Sequence, residues 1–281
     1  MISKNEIMRI STNLRLSPHV IEKDYVLGWL LWGIARNPTL GENWLFKGGT
    51  CLKKCFFGSY RFSEDLDFTP IGSSIVEEDF LYQILSDIVE SVYLETGIEF
   101  PSNTRKLEIF TTAQHRRHCQ IRIGYQAPVS RRGRNAPRIK IDLTPNERVV
   151  LQPVYRSVIH SYSDEPESGI SVRTYAFAEI FAEKIRALAE RARPRDLYDV
   201  IHLYRSKEIL PEASMLLDVL RRKCEFRKIK LPDIADLEPQ QGILEQNWEL
   251  MLGSQVPVLT PFATWWIDLA SFFDWLYGRV V

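Results

Sequence analysis

Two carboxylates set one residue apart in an apolar run constrain the fold of this chain most strongly. Asp65 and Asp67 flank Leu66 near the end of the stretch LFKGGTCLKKCFFGSYRFSEDLDFTP. Side chains alternate along an extended strand, so both carboxylates point to the same face of a sheet. Two ionised carboxylates about 4 Å apart repel by roughly 4 kcal/mol at an effective dielectric constant of about 20. We therefore expect a positive charge to lie between them.

The composition is that of a folded globular protein. Of the 281 residues, 45% are hydrophobic and 26% are charged, and the 36 basic residues balance the 36 acidic ones, so net charge indicates no partner. The polar start MISKNEIMRI lacks the apolar core of a signal peptide, and no apolar run has the length of a membrane span. We expect a cytoplasmic protein without a membrane partner. The four cysteines lack the spacing of a zinc site or a disulfide framework, which indicates buried thiols.

The order of the predicted elements indicates an α+β protein. Helices are predicted over residues 18–36 and 77–95, and strands are predicted at WLFKGG, DLDFTP, KLEIFTTA, CQIRIGY and RIKIDLT. After VRTYAF the apolar spacing becomes helical through AEIFAEKIRALAERAR, RDLYDVIHLYRS and PEASMLLDVLRRKCEFRKI. We therefore predict a sheet-bearing domain with an N-terminal helix at residues 1–170, followed by a helical domain at residues 171–281.

Two glycines and a helix precede the paired carboxylates, and this order favours nucleotide chemistry. Gly48 and Gly49 permit a tight turn and the close approach of a ligand, and Thr50 lies where the helix would begin. Unpaired amides at a helix N-terminus attract an anion such as phosphate. The paired aspartates can hold Mg²⁺, with Asp142 in RIKIDLT as a third carboxylate from a neighbouring strand. Alone, the glycine pair would indicate only a turn, and the aspartates only a solvated strand face.

The stretch FKGGTCLKKCF followed by RFSEDLDFT resembles motif I of the AbiEii/AbiGii abortive-infection toxins, nucleotidyltransferases of the DNA polymerase β-like superfamily. The segment IEKDYVLGWLL resembles the family's N-terminal segment, and AEIFAEKIRALAERARPRDLYDV resembles its later motifs, so the resemblance covers residues 21–200. It implies a polymerase β-like core with a mixed sheet, followed by a helical half that completes the active-site cleft. It also implies a toxin restrained by a cognate antitoxin. The expected reaction uses NTP and two Mg²⁺ ions to add a nucleotide to RNA, at the 3′ acceptor end of tRNA, and so blocks translation.

Together the patterns and the resemblance assign roles to individual residues. The expected metal ligands are Asp65, Asp67 and Asp142. The expected nucleotide-binding residues are Gly48, Gly49, Thr50, Ser63 and Lys184. The expected catalytic residues are Asp65, Asp67, Lys184 and Asp196. The family pattern has Gly-Ser before a shorter spacer where this chain has GGT, which makes Thr50 the natural substitute for the serine.

Two points in the later motifs stay open. In RDLYDV either Asp196 or Asp199 matches the acidic position of the family, and Asp196 is favoured because it lies nearest the loop. Lys184 and Arg191 share one helix face, from which they could bind a triphosphate. The alternative is a solvated helix held by surface salt bridges, with Glu183 among the partners.

Positive charge is concentrated in residues 105–140, where ten basic residues are accompanied by one acidic residue, Glu108. The loop SRRGRNAPR in this region carries Arg131, Arg132 and Arg134, and a second basic cluster lies at residues 221–230. Such patches suit a phosphate backbone, so we predict that the three loop arginines bind RNA. The alternative for the loop is that its charges are merely solvated. For the protein as a whole, the alternatives are transfer to a small molecule or a protein hydroxyl, and a non-catalytic module that binds nucleotide or RNA. The paired aspartates disfavour the last, because a binding module has little reason to keep two repelling carboxylates.

Overall fold

The computed structural model describes residues 1–71, 77–111, 117–130 and 136–279. The chain divides into two compact units. The first unit comprises Met1–Glu147 and Pro153–Thr174, and the second comprises Arg148–Gln152 and Tyr175–Val281.

A seven-stranded mixed sheet forms the centre of the first unit. Its strands are β1 Trp44–Lys47, β2 Asp65–Pro70, β3 Lys106–Thr111, β4 Arg117–Gly124, β5 Arg138–Leu143, β6 Val154–Ser157 and β7 Ser171–Thr174. The spatial order is β3-β4-β5-β2-β1-β7-β6; β2 is parallel to β5 and β1 to β7, and the other pairs are antiparallel. All five strands predicted from the apolar patterns are present. Strand β2 therefore lies inside the sheet, with its acidic end between two neighbours.

The helices of the first unit pack around this sheet. They are α1 Lys4–Leu14, α2 Pro18–Arg36, α3 Pro38–Asn43, α4 Gly48–Cys51, which continues as a π-helix over Leu52–Phe56, and α5 Glu78–Thr96. The predicted helix over residues 18–36 is present as α2, and its residues 24–34 are buried on every face. The reason is that α2 packs against α1, α3, α5 and β7, which leaves it no solvent side.

The second unit is helical. It contains α6 Phe177–Arg191, α7 Pro194–Arg205, α8 Ala213–Arg227, α9 Ile234–Leu237, α10 Gln241–Gln246, α11 Trp248–Leu252 and α12 Phe262–Tyr277. This confirms the prediction of an α+β fold with a mixed sheet and a helical C-terminal region. In the part of the chain that the structure describes, no helix combines the length and apolar character that crossing a membrane requires.

A buried ion cluster attaches the segment Arg148–Gln152 to the helices of the second unit. The fully buried Nζ of Lys223 lies 2.7 Å from Oε1 of Glu179 and 3.1 Å from Oε1 of Glu183, and it donates a hydrogen bond of 2.6 Å to the carbonyl of Arg148. The carboxylate of Glu179 also accepts hydrogen bonds from two backbone amides of the segment. A buried charge with this many partners is satisfied in the folded state.

Candidate active site

The turn after β1 places backbone directly against the acidic strand β2. Gly48 has a φ of 80°, in the left-handed region that favours glycine. A Cβ atom on Gly48 would lie 2.3 Å from Oδ2 of Asp67. A Cβ atom on Gly49 would lie 2.7 Å from Nη2 of the buried Arg61 and 3.2 Å from Oγ of Ser63. Any side chain at either position would therefore displace a charged neighbour.

The strand register collects charged side chains on one face of the sheet. In the antiparallel β1–β2 pair, Lys47 is opposite Asp67. In the parallel β2–β5 pair, Asp67 is opposite Asp142 and Asp65 is opposite Lys140. Residues in register on neighbouring strands point to the same face. The structure therefore brings the three predicted carboxylates together.

Lys140 supplies the positive charge that the carboxylates need. Its Nζ lies 3.1 Å from Oδ2 of Asp65 and 2.7 Å from Oδ2 of Asp142. Partial burial alone would lower the pKa of Lys140, but the hydrogen bond to Asp142 and the charges of both carboxylates outweigh it and raise the pKa. The sequence led us to expect a cation between Asp65 and Asp67. The structure places Lys140 between Asp65 and Asp142, because the parallel register sets it opposite Asp65.

Asp142 is held by three donors. Besides Lys140, Nε2 of Gln120 donates to its Oδ1 at 3.0 Å, and Nε2 of His118 lies 3.4 Å from the same atom. Burial would raise the pKa of Asp142, but hydrogen bonds from His118, Lys140 and Gln120 and the charge of Lys140 lower it to about 2. Asp142 is therefore ionised at neutral pH, as a metal ligand must be.

The carboxylate oxygens of this acidic face are chemically suited to bind a hard divalent cation. Carboxylate oxygens are ligands that Mg²⁺ prefers, and the ammonium of Lys140 already takes a cationic position between two of them. Across the described residues, no group of three or more His, Cys, Asp or Glu side chains is arranged to hold a metal ion. Asp65 and Asp142 therefore have the right chemistry, while the lysine takes up contacts that a metal would use.

Thr50 connects the glycine turn to β2. Its buried hydroxyl donates a hydrogen bond to the backbone carbonyl of Asp65, the first residue of the strand. The sequence suggested a serine-like contact of Thr50 with phosphate. The structure gives its side chain a part in positioning Asp65.

Polar residues of α2 hold the segments on either side of the site. Asp24 and Lys54 form a buried ion pair with 2.6 Å between Oδ2 and Nζ, which fixes the helical segment after the glycine turn. Lys23 and Glu64 pair at 2.8 Å, immediately before the first residue of β2. Both ends of the chain that links the turn to the acidic strand are therefore attached to α2.

The same helix holds two further loops of the first unit. Oε1 of Glu22 accepts hydrogen bonds from the amides of Val129 (2.5 Å) and Ser130 (2.9 Å), and Tyr25 donates one of 2.7 Å to Asp164. The four residues of the stretch EKDY at 22–25 therefore contact four separate segments of the first unit.

In the second unit the later motifs form two ion pairs between α6 and α7. Nζ of Lys184 lies 2.8 Å from Oδ2 of Asp199, and Arg191 binds Asp196 through two hydrogen bonds of 2.7 Å. The predicted common face of Lys184 and Arg191 is thus the face toward α7. The alternative of a solvated salt-bridge helix does not hold for Lys184, because its exposed fraction is 8% and Asp199 is fully buried.

The basic regions are only partly covered by the structure. The predicted RNA-binding residues Arg131, Arg132 and Arg134 lie outside the described residues. In the cluster at 221–230, Lys223 is buried, Arg222 pairs with Asp218 at 3.0 Å and Lys230 pairs with Asp236. These pairs reduce the positive charge that this cluster can offer to a phosphate backbone.

The family model for the nucleotidyl transferase AbiEii toxin of type IV toxin–antitoxin systems matches residues 29–277. The chain belongs to this family. It is therefore a nucleotidyltransferase toxin, which confirms the resemblance seen in its motifs.

Two further similarities place this AbiEii-family chain among known proteins. The structure of MenT4, a nucleotidyltransferase toxin from Mycobacterium tuberculosis H37Rv, is similar with a TM-score of 0.62 and 19% identity, covering 100% of this chain and 91% of MenT4. That similarity confirms the fold. A proline–tRNA ligase from Methanothrix thermoacetophila is 22% identical over 172 residues, which are 60% of this chain and 34% of the ligase. The chain thus spans about a third of the length of this curated relative.

Proposed function

We propose that this AbiEii-family toxin transfers a nucleotide from NTP to RNA in a Mg²⁺-dependent reaction, at the 3′ acceptor end of tRNA, and so blocks translation. The observation that carries the proposal is the approach of Asp67 to the glycine turn, where a Cβ on Gly48 would lie 2.3 Å from the carboxylate. A turn without side chains beside a carboxylate suits a site in which phosphates and a metal must be adjacent.

The acidic strands would hold the metal. Asp65 and Asp67 would be ligands of Mg²⁺, and Asp142 would complete a two-ion site. When bound, Mg²⁺ supplies positive charge to the triphosphate and activates the attacking hydroxyl. The register of β2 and β5 keeps the three carboxylates on one face. The residues that would hold the phosphates are Gly48, Gly49, Thr50 and Ser63.

Lys184 and Asp196 are the residues of the later motifs to which we assign functions. We propose that Lys184 binds the triphosphate and that Asp196 is the functional acid of the later motif. Support for Lys184 comes from its position in a buried ion pair, which keeps its ammonium in a defined place. Support for Asp196 comes from its two hydrogen bonds with Arg191, which orient the carboxylate.

The remaining proposals concern the setting of the reaction. We propose a cytoplasmic toxin whose functional domains are residues 1–170 and 171–281. A curated relative is named as a ligase that joins proline to tRNA, which supports testing tRNA as the first acceptor. The cognate antitoxin would restrain transfer.

The acceptor is tested by incubating the purified protein with each of the four α-³²P-labelled NTPs and total tRNA. Half of the tRNA is first oxidised with periodate, which destroys the 3′-terminal diol. We expect at least one NTP to label intact tRNA and none to label oxidised tRNA. Equal labelling of both would show that the 3′ end is not the acceptor, and labelling of the protein alone would favour a protein hydroxyl.

Removing the charges of Lys184 and Asp199 together should lower the transfer rate by at least about 100-fold without unfolding the protein. The double variant Lys184→Gln, Asp199→Asn is chosen because Lys184→Ala alone would break a buried ion pair and keep the charge of its carboxylate, at a cost of about 3–5 kcal/mol. The single variant Lys184→Arg should retain only part of the wild-type activity, since a guanidinium needs a wider site than an ammonium. Transfer rate and Tm are measured for each variant.

The control for that experiment is a second ion pair of the helical unit. Arg205 and Asp268 pair at 2.7 Å with both side chains partly exposed, and Arg205→Gln, Asp268→Asn should change neither rate nor Tm by much. If the Lys184 double variant matched this control in transfer rate, Lys184 would be a structural residue.

Neutralising Arg131, Arg132 and Arg134 together should weaken RNA binding and flatten its dependence on salt. Each lost phosphate contact should reduce the slope of log affinity against log salt by somewhat less than about one unit. Affinity for NTP should stay the same, because the arginines are assigned to the acceptor. The control removes three exposed charges elsewhere, at Arg9, Arg36 and Lys207. Loss of NTP affinity with intact RNA binding would assign the loop to the nucleotide instead.

A further inference from the structure

Lys140 differs from Lys54 and Lys223, two buried lysines that also pair with carboxylates inside their units. Its side chain is 33% exposed, whereas those of Lys54 and Lys223 are 2% and 0% exposed. Lys54 and Lys223 are enclosed and have no path to solvent without unfolding their surroundings. Lys140 contacts two carboxylates at 3.1 and 2.7 Å and still borders water. Its four-carbon side chain can therefore exchange these contacts for hydration by rotation alone.

The contacts of Lys140 coincide with two of the three carboxylates assigned to the metal. A lysine ammonium and a divalent cation that need the same oxygens exclude one another, because both require direct contact at short distance. The single charge of Lys140 neutralises part of the acidic cluster, so the strands can keep their register without a metal. The cost is that a metal must displace an existing ion pair before it binds.

We propose that Lys140 is a built-in counter-ion that competes with the divalent metal for Asp65 and Asp142, so that metal binding releases its ammonium to solvent. This inference rests on the metal site proposed above. Lys140 is thus a residue that sets the metal affinity of the toxin and holds the acidic face together when no metal is present.

The test compares Mn²⁺ binding to the wild-type protein and to Lys140→Gln, without nucleotide or RNA, by titration calorimetry and by the EPR signal of free Mn²⁺. We expect Lys140→Gln to bind Mn²⁺ about tenfold more tightly. The matched control is Arg138→Gln, which removes an equal charge at an exposed position two residues earlier on β5. We expect that control to change the affinity by less than about threefold, since exposed charges are screened. Equal or weaker Mn²⁺ binding to Lys140→Gln than to Arg138→Gln would overturn the proposal.

Stability gives a second readout. In EDTA, Lys140→Gln should unfold at a lower temperature than the wild-type protein, because the carboxylates then repel without a counter-ion. Mn²⁺ should raise the Tm of Lys140→Gln more than that of the wild-type protein. A Tm in EDTA equal to that of the wild type would show that Lys140 does not hold the acidic face together, which contradicts the proposal.

A measurement on the wild-type protein avoids any folding defect of the variant. Its lysines are reductively methylated with ¹³C-formaldehyde, in EDTA or in excess Mg²⁺, and modification is quantified by mass spectrometry. Modification of Lys140 should increase severalfold with Mg²⁺, while the buried Lys54 stays unmodified as an internal reference. Unchanged or lower modification of Lys140, with metal binding shown by calorimetry, would refute the exchange. If no divalent metal binds to either protein, the proposed metal site itself is wrong, which separates the two failures.

Discussion

Replacing Asp67 by Asn should lower the rate of nucleotide transfer by at least about 1,000-fold, a loss of about 4 kcal/mol of transition-state stabilisation. The amide keeps the shape of the side chain beside Gly48 but removes the charge that would hold the metal. Tm measured in EDTA should hold or rise, because one of three neighbouring carboxylates is neutralised. The same result is expected for Asp65→Asn, with a smaller gain in Tm, since Asp65 loses its pair with Lys140.

The control for this prediction is Asp87→Asn, a change of the same chemistry at an exposed position of α5. It should alter neither rate nor Tm by much. Transfer by Asp67→Asn at more than about a tenth of the wild-type rate would show that Asp67 is not a metal ligand. A large fall in Tm would show that its carboxylate is needed for folding instead.

Replacing Gly48 by Ala should reduce transfer by about 100-fold and lower the Tm by several degrees. The new Cβ would lie 2.3 Å from Oδ2 of Asp67 in a backbone conformation with φ 80°, so the carboxylate or the turn must move. The backbone strain costs about 1–3 kcal/mol, and a displaced carboxylate misplaces the group that should bind the metal.

Two other glycines separate these effects. Gly97 has a φ of 76° with nothing within 4 Å of its Cβ position, so Gly97→Ala should lower the Tm but leave transfer unchanged. Gly58 has nothing within 4 Å of its Cβ position and no positive φ, so Gly58→Ala should change neither the Tm nor the transfer rate. If Gly48→Ala lost no more activity than Gly97→Ala, the contact with Asp67 would have no part in the reaction.

Local patterns were sufficient to predict the fold class and the strand that carries Asp65 and Asp67. Strand and helix periodicity depend on residues close in sequence, so apolar spacing predicted β1, β2 and β5 correctly. The turn between β1 and α4 was predictable for the same reason, because a tight turn between a strand and a helix needs the permissive backbone of glycine. Asp142 was proposed as a third carboxylate because its charge follows the apolar Ile139 and Ile141 in a strand.

The contacts between segments could not be predicted from such patterns. Lys140 was counted only as part of a basic region, because its position opposite Asp65 depends on the parallel register of β2 and β5. The sequence did contain a signal for this contact, since Lys140 and Asp142 are two residues apart in a strand and therefore point to the same face. The buried Lys223 in a basic stretch was missed because its partners Glu179 and Glu183 lie on another helix.

The central claim, that this toxin is a metal-dependent nucleotidyltransferase, is tested most directly by following both ends of the triphosphate in one reaction. Purified protein is incubated with Mg²⁺, tRNA and the active NTP labelled with ³²P at either the α or the γ position. Nucleotide transfer must place the α label on RNA and release the γ label as pyrophosphate. We predict that result for the wild-type protein, and no labelled product with EDTA or with Asp67→Asn. Transfer of the γ label to the acceptor, or α labelling that persists in EDTA, would contradict the account.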